Sequence, residues 1–370
     1  MRHTTYILSL ILATAITVKA QYNPYINKVY EYRPAPGQFV NDLPEWEEGD
    51  DANDMRLKAE ECIANHEQIM ISLGGWGGYV IFGFDHMIPN FKGDYDLKIL
   101  GNAFYANANP NDTTALGGSA EPGIVMVSYD ANHNGRPDDE WYELAGSDYN
   151  HPLTRHNYTC TYYRPAPNHV ATPNKEYSYL TDTTYIRWHD NYGNSGYISR
   201  NSYHDQSYYP EWIDADSLVF TGSRLRDNGI DESGTGQYYV LYCLDWGYVD
   251  NQPNKTSNAA QHVSEFKIDW AVDSQGRHID LPGINFVKVY TGVNQYNGWL
   301  GEASTEVLDA WDLHMLDADG NDLTLGIDNT PSTSDQAEIF SIDGLKVTDT
   351  SRPGIYIIKN KNGTHKILKQ

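Results

Sequence analysis

The chain has 370 residues, of which 40% are apolar and 13% aromatic, and its 50 acidic against 26 basic side chains give a net charge of -24. That length supports one large domain or two ordinary ones, and the apolar and aromatic content argues against a disordered chain. A surface this acidic repels nucleic acid and anionic lipid, so neither is an expected partner, while divalent cations are favoured.

Residues 1–20 read as a signal peptide. Arg2 and His3 precede an apolar run over 6–18, and Val18 and Ala20 are the small residues that suit signal peptidase before Gln21. No cysteine follows that site, so no lipid anchor is indicated, and no later run approaches the ~18 apolar residues of a membrane span. The mature protein is expected to be soluble and exported. Residues 21–55, rich in Tyr, Pro, Asn and acids, read as an extended segment laid along the main domain. The one short helix is predicted over 54–65, with Met55, Leu57, Cys62 and Ile63 as its apolar stripe and Asp54 as N-cap.

Everything beyond reads as β. The apolar run 69–85 is broken by Gly74, Gly75, Gly77 and Gly78, which predict a bend beside Trp76. A phosphate-cradling loop is excluded there, because no Gly-Lys-Ser/Thr and no helix follow. A strand over 97–104 leads to a polar loop over 105–118.

Strands over 123–129 and 140–145 flank the loop that is the best candidate for chemistry. Asp130, Asn132 and Asn134 stand at positions 1, 3 and 5 of a calcium loop, with Gly135 at the sharp turn of position 6. Calcium is a hard cation that takes six to eight oxygen ligands, and this spacing aims side-chain oxygens at one point. Arg136 would give its backbone carbonyl and Asp138 a carboxylate. Position 12 is Trp141, so the bidentate Glu of an EF-hand is missing and Asp139 or Glu140 stands in; the flanking strands exclude a helix-loop-helix. The competing reading is a plain polar hairpin loop, since turns select Asn, Asp and Gly anyway.

Residues 149–207 are dominated by Tyr, His, Asn, Pro and Thr, with strands over 158–164 and 185–188, and read as long connections too polar to supply much core. Core strands resume over 217–225, 237–244 and 266–272, then a hairpin through 273–276 joins strands over 279–281 and 284–291. A last pair over 310–316 and 323–325 flanks a plain turn at 317–321. Cys62, Cys160 and Cys243 allow one bridge, Cys160 with Cys243 being the favoured pair, or three buried thiols; no Cys-x-x-Cys occurs, which excludes zinc ribbons. The whole fits an all-β, jelly-roll-like β-sandwich over 21–327. A polar linker over 328–336 leads to a small basic β module, 337–370, with strands over 339–341, 355–359 and 366–368.

That tail resembles the C-terminal sorting module of type IX secretion in Bacteroidota, through Ile342-Asp343-Gly344-Leu345-Lys346-Val347, Pro353-Gly354-Ile355-Tyr356-Ile357-Ile358, and Asn362-Gly363 with Lys366 and Lys369. The resemblance implies transport across an outer membrane and surface attachment or release. Residues 30–315 resemble a group of Bacteroidota cell-surface β-sandwich proteins, through the glycine pattern ending in Gly83-Phe84-Asp85, Leu100-Gly101-Asn102-Ala103-Phe104, Glu121-Pro122-Gly123 and Trp141-Tyr142-Glu143-Leu144-Ala145-Gly146. Similar proteins look like accessory factors encoded near outer-membrane nutrient uptake systems, corrinoid uptake among them. No catalytic residues come with the resemblance.

The expected function is therefore that of an exported cell-surface ligand-binding protein, calcium-stabilised and accessory to glycan or corrinoid capture. Its expected partners are a small-molecule or glycan ligand and the outer-membrane uptake or secretion machinery. Trp76, Trp188, Trp212, Trp246 and Trp299 are the candidate ligand-binding aromatics, two or three of which should reach a ligand. The alternatives are a glycan hydrolase or lyase and a purely adhesive surface protein. An enzyme would need two carboxylates across a cleft, and no pair such as Asp231/Glu232 or Asp245/Asp250 is singled out by spacing. Neither a Gly-x-Ser-x-Gly elbow nor a His-Glu-x-x-His pattern occurs.

Overall fold

In three neighbouring strands every second residue is apolar, and those residues meet on one face. The computed structural model describes residues 22–106, 116–255, 262–321, 338–341, 347, 354–360 and 363–369. Val80 and Phe82, Val287 and Val289, and Val125 and Val127 lie side by side in register, all fully buried. A β-branched or aromatic residue stands at each of these inward positions, and the opposite face of the same strands is largely buried as well, with Ile124 and Tyr290 in another apolar cluster. Their strands are the centre of a six-stranded antiparallel sheet in the order Lys28–Arg33, Tyr79–Pro89, Gly283–Thr291, Gly123–Ser128, Trp141–Leu144 and Ala271–Val272. The chain is all-β, 38% strand and 7% helix. Among the described residues no helix is long and apolar enough to cross a membrane.

The helix Ala52–Ile63 lays Met55, Ala59 and Ile63 against that core. Its N-cap is Asp51 and not Asp54. The Asp51 carboxylate accepts from the N–H groups of Asn53 and Asp54, and the Asp54 carboxylate returns to the Asp51 N–H at 3.0 Å, so Asp54 is the far member of a capping box. Leu57 points outward, 38% exposed, and is not part of the stripe.

The polar stretch 149–207 supplies far more core than its composition suggests. It contributes three strands of a second antiparallel sheet, ordered Ser195–Asn201, Leu180–Asp190, Arg155–Tyr163 and Ser217–Arg224. Tyr158, Cys160, Tyr162, Ile186, Ile198, Tyr208, Tyr209, Leu218 and Phe220 bury together there with Trp76. Tyrosine can do this because its ring packs as a hydrophobe while its hydroxyl finds an acceptor. The Tyr162 hydroxyl donates to the Trp76 carbonyl at 3.1 Å and that of Tyr209 to the Ala215 carbonyl at 2.8 Å.

The glycine bend joins the two cores. Between the strands Ile71–Ser72 and Tyr79–Pro89 the chain turns through Gly74 and Gly77, both at positive φ, and sends the 1% exposed Trp76 into the second core. There its ring meets Tyr158 edge-on at 4.6 Å and its indole N–H donates to the Ser223 carbonyl at 3.3 Å.

Other boundaries shift for local reasons. The run 97–104 is a strand only over Leu97–Leu100, because the next N–H groups turn to the Asp250 carboxylate and the Asn254 amide. The run 266–272 is interrupted by a 3-10 turn at Ile268–Trp270, and 279–281 forms no strand. The three cysteines are free, so the favoured bridge does not form. In the tail, Glu338–Ser341, Gly354–Asn360 and Gly363–Lys369 form a three-stranded antiparallel sheet. The expected signal peptide, the linker, the strand over 323–325 and the 343–344 turn lie outside the described residues.

Candidate functional site

The expected calcium loop folds around Asp130. That residue is 7% exposed and its N–H is held by the Asn285 side chain at 3.0 Å. Its two carboxylate oxygens accept the N–H groups of Asn134 at 3.0 Å and Gly135 at 2.8 Å, a wrap that needs the positive φ of Gly135. Asn132 and Asn134 turn inward to Asp138, with the Asn134 amide 3.1 Å from both of its oxygens. Asp130, Asn132, Asn134 and Asp138 thus come together, the Arg136 N–H donates to Asn134 at 2.8 Å, and Asp139 keeps one buried oxygen with no hydrogen-bond partner. The loop carries oxygen donors of the kind a hard cation takes. Here the two amides point their nitrogens at Asp138 while their oxygens accept the N–H groups of Asn134 and Arg136, so turning both oxygens inward to ligate would give up those two bonds.

A second acidic group lies in the core. Glu121, Asp250 and Glu306 bring their carboxylate oxygens within 4.8 Å of one another, the group of that kind among the described residues. Asp250 accepts N–H groups from Asn102 and Ala103 at 2.7 Å and from Glu306 at 3.0 Å; Ser304 donates its N–H to Glu121 at 2.8 Å and its hydroxyl to Glu306 at 2.6 Å. Burial pushes all three carboxyls up, Asp250 to about 7, and their mutual repulsion adds to the rise at Glu121 and Glu306. Every bond they make is accounted for inside the protein, and the cluster reads as carboxyls sharing protons.

A cavity of about 140 Å3 opens beneath the loop 293–303, where the glycine bend meets the inner face of the second sheet. Trp76, Tyr162 and Trp188 wall it, and the half-exposed Tyr197 and Tyr296 stand at its rim. Gly196 lies flat under the Trp188 indole, where a Cβ would come within 2.9 Å of the ring. Glu302 lines the same cavity. One of its oxygens accepts the Gln38 N–H at 2.5 Å and the other is buried with no partner. Burial pushes this carboxyl up to about 7 against the lowering pull of the Gln38 bond. Gln38 is itself fixed by its amide, which donates to the Leu300 carbonyl at 2.6 Å and accepts from Asn201 at 2.8 Å.

Of the five candidate tryptophans, the structure brings Trp76 and Trp188 together in this cavity, with Trp299 46% exposed on the short turn Gly298–Leu300 of the overlying loop. Trp212 instead stacks on Tyr32 at 5.9 Å and packs against the main core, and Trp246 pairs with Trp270 at 4.6 Å. Glu302, Gln38, Tyr162 and Tyr296 went unnoticed in the sequence. The one signal for them is the glycine pair Gly298 and Gly301, both at positive φ, in a loop following a core strand. No family model matches this chain, and no curated protein matches it.

Proposed function

We propose that this is an exported cell-surface ligand-binding protein, stabilised by calcium and accessory to nutrient capture. The aromatic cavity carries the reading. Ligand sites are concave and mostly apolar, with a few placed polar groups, and a cavity walled by Trp76, Tyr162 and Trp188 with Glu302 beside them has that make-up. Its volume is well below the ~300 Å3 at which drug-sized sites begin, so it suits one ring or side group, such as the end of a glycan, rather than a corrinoid macrocycle. Binding is favoured over hydrolysis because Glu302 is the one carboxylate among the lining residues, where a glycosidase needs two. Export rests on residues 1–20 and surface location on the tail, both read from the sequence; an uptake or secretion complex is the proposed partner.

Tryptophan fluorescence titrated with a glycan panel is expected to show a saturable change that Trp188→Ala abolishes while the far-UV spectrum stays native. A folded protein giving no saturable response to any glycan would discard the reading. Calcium is expected to raise the melting temperature by a few degrees through the 130–139 loop, because an ion bound only to the native state stabilises it by mass action. Asp130→Ala should lose that calcium-dependent rise; a variant that still responds fully would remove the loop from consideration.

A further inference from the structure

The second sheet has one face in the core and one in solvent, and the solvent face is where the arginines of this acidic chain gather. Tyr197 and Arg187 are direct cross-strand partners, and the Arg187 guanidinium lies 3.7 Å from the ring centroid of Tyr163 on the strand at its other side. Arg187 thus stands in a row between two tyrosines. Arg200 lies over Tyr185 at 5.3 Å and Arg164 over Tyr209 at 4.3 Å.

These residues line two adjoining grooves. The larger, about 790 Å3, runs between the sheet face and the proline-rich segment 165–170 and holds Arg164 and Arg187. The smaller, about 420 Å3, shares Arg164, Pro165, Pro167 and Tyr185 with it and adds Arg200. Each groove has a single carboxylate in its lining, Asp216 in the first and Glu211 in the second. Glu211 is engaged with Arg164 at 3.3 Å. Neither Arg187 nor Arg200 has a carboxylate partner among the described residues, although acids outnumber bases 50 to 26 in the chain. A guanidinium already stacked on a ring loses little freedom on binding, and its planar fork matches a carboxylate or sulfate.

We propose that this face recognises an acidic saccharide, a sugar carrying a carboxylate or a sulfate beside its ring. Arg187 in the larger groove and Arg200 in the smaller each offer a guanidinium fork to an acid group, and the sugar ring lies on the exposed Tyr197. The larger groove falls in the usual range for a whole small ligand, roughly 300–1,000 Å3. Tyr197, on the edge strand of the sheet, lines both this groove and the rim of the aromatic cavity. A nucleic acid offers the same anionic chemistry, but many phosphates would face a protein of charge -24, and a short acidic glycan meets the arginines with far less repulsion. The inference rests on the ligand-binding reading above and names the ligand's charge.

Calorimetric titration of the full chain with size-matched oligogalacturonate, sulfated dextran and neutral dextran tests it. The acidic saccharides should bind roughly tenfold or more tighter than neutral dextran, less tightly as salt rises, and whichever acid binds better identifies the group. Arg187→Ala with Arg200→Ala should lose that preference with little change in melting temperature, and Arg187→Lys should recover only part of it, because an ammonium cannot reproduce the fork. Neutral dextran binding as tightly as the acids, or acid binding undiminished in the double variant, would overturn the inference and leave the ligand-binding reading standing. A folded protein that binds none of the three, and shows no tryptophan response to the wider panel, would sink both.

Discussion

Raising the pH from about 5 to about 8 should lower the melting temperature by roughly 10 °C, and Glu306→Gln should remove much of that loss. Burial pushes the carboxyls of Asp250, Glu143 and Glu302 up to about 7, and it lifts those of Glu121 and Glu306 well above the ordinary range. A group whose native pKa is raised binds its proton more tightly when folded. Its stabilising contribution is complete below the unfolded pKa near 4 and is lost as pH rises through the native value near 7. Asp250, held up to about 7, accounts for on the order of 3 kcal/mol between pH 5 and pH 8. Burial pulls His86 and His314 down, but Asp312 and Asp85 outweigh it at His86, and Asp96 and Asp312 at His314; both end up raised and lose stability in the same direction. Carboxyls held low, such as Asp273 by the Arg277 side chain, oppose this only below about pH 4. Gln at 306 keeps an acceptor for the Ser304 hydroxyl and removes one buried charge. The variant should therefore match the parent at low pH and melt higher at pH 8. In the Asp130→Ala variant, a melt that instead falls on acidification and with EDTA, and is restored by a divalent cation, would mean that Glu121, Asp250 and Glu306 hold an ion rather than protons.

The main sheet was legible because its strands are apolar runs, over 80–84, 123–128 and 284–291, with turn residues near their ends. Of the second sheet, the strands over 158–164, 185–188 and 217–225 were legible, but the core they build was not, because it is packed with Tyr158, Tyr162, Tyr208 and Tyr209, which composition counts as polar surface. What makes them core is the partner each hydroxyl finds, and some of those partners lie far away in the chain, such as the Trp76 carbonyl for Tyr162 and the Asn294 amide for Tyr158. His86 and His314 escaped for the same reason. Their partners Asp312 and Asp96 are more than two hundred residues away, and the pairs at 3.1 and 2.9 Å exist only once the sheets are assembled.

The candidate sites divide along the same line. The 130–139 loop is local, so the sequence could show that Asp130, Asn132, Asn134 and Asp138 lie close together, though not that the two amides turn their nitrogens toward Asp138. The cavity and the arginine grooves are assembled from segments that the sequence separates, Trp76 from one bend, Trp188 and Arg187 from one strand, and Glu302 from a late loop. Adjacent residues 187 and 188 even serve opposite faces of one sheet, Arg187 the solvent groove and Trp188 the cavity, which follows from the strand's period of two once its register is known.

Gly78→Ala should be among the most damaging single methyls at the described glycines. A Cβ there would lie 2.0 Å from the Leu73 carbonyl oxygen and 2.1 Å from the Ala35 nitrogen. Those two atoms are hydrogen-bonded to each other at 3.0 Å, and both are backbone, so neither can swing aside as a side chain would. Gly74 closes the same clamp from the other end, where an added Cβ would meet the Ala35 carbonyl at 1.9 Å. Relief requires the bend to open, and Trp76 hangs from that bend into the second core. The cost should therefore exceed the ~4 kcal/mol that marks an exceptional substitution, with a melting temperature lower by roughly 10 °C or more and the tryptophan-ligand signal gone. Gly93→Ala is the control. Gly93 has φ 89 with nothing within 4 Å of an added Cβ, so the change carries only the backbone penalty of about 1–2 kcal/mol and should leave ligand binding intact. If the two variants melted alike, the close packing of the bend on residues 34–36 would not be what holds Trp76 in place, and the cavity would have to owe its shape to the 293–303 loop alone.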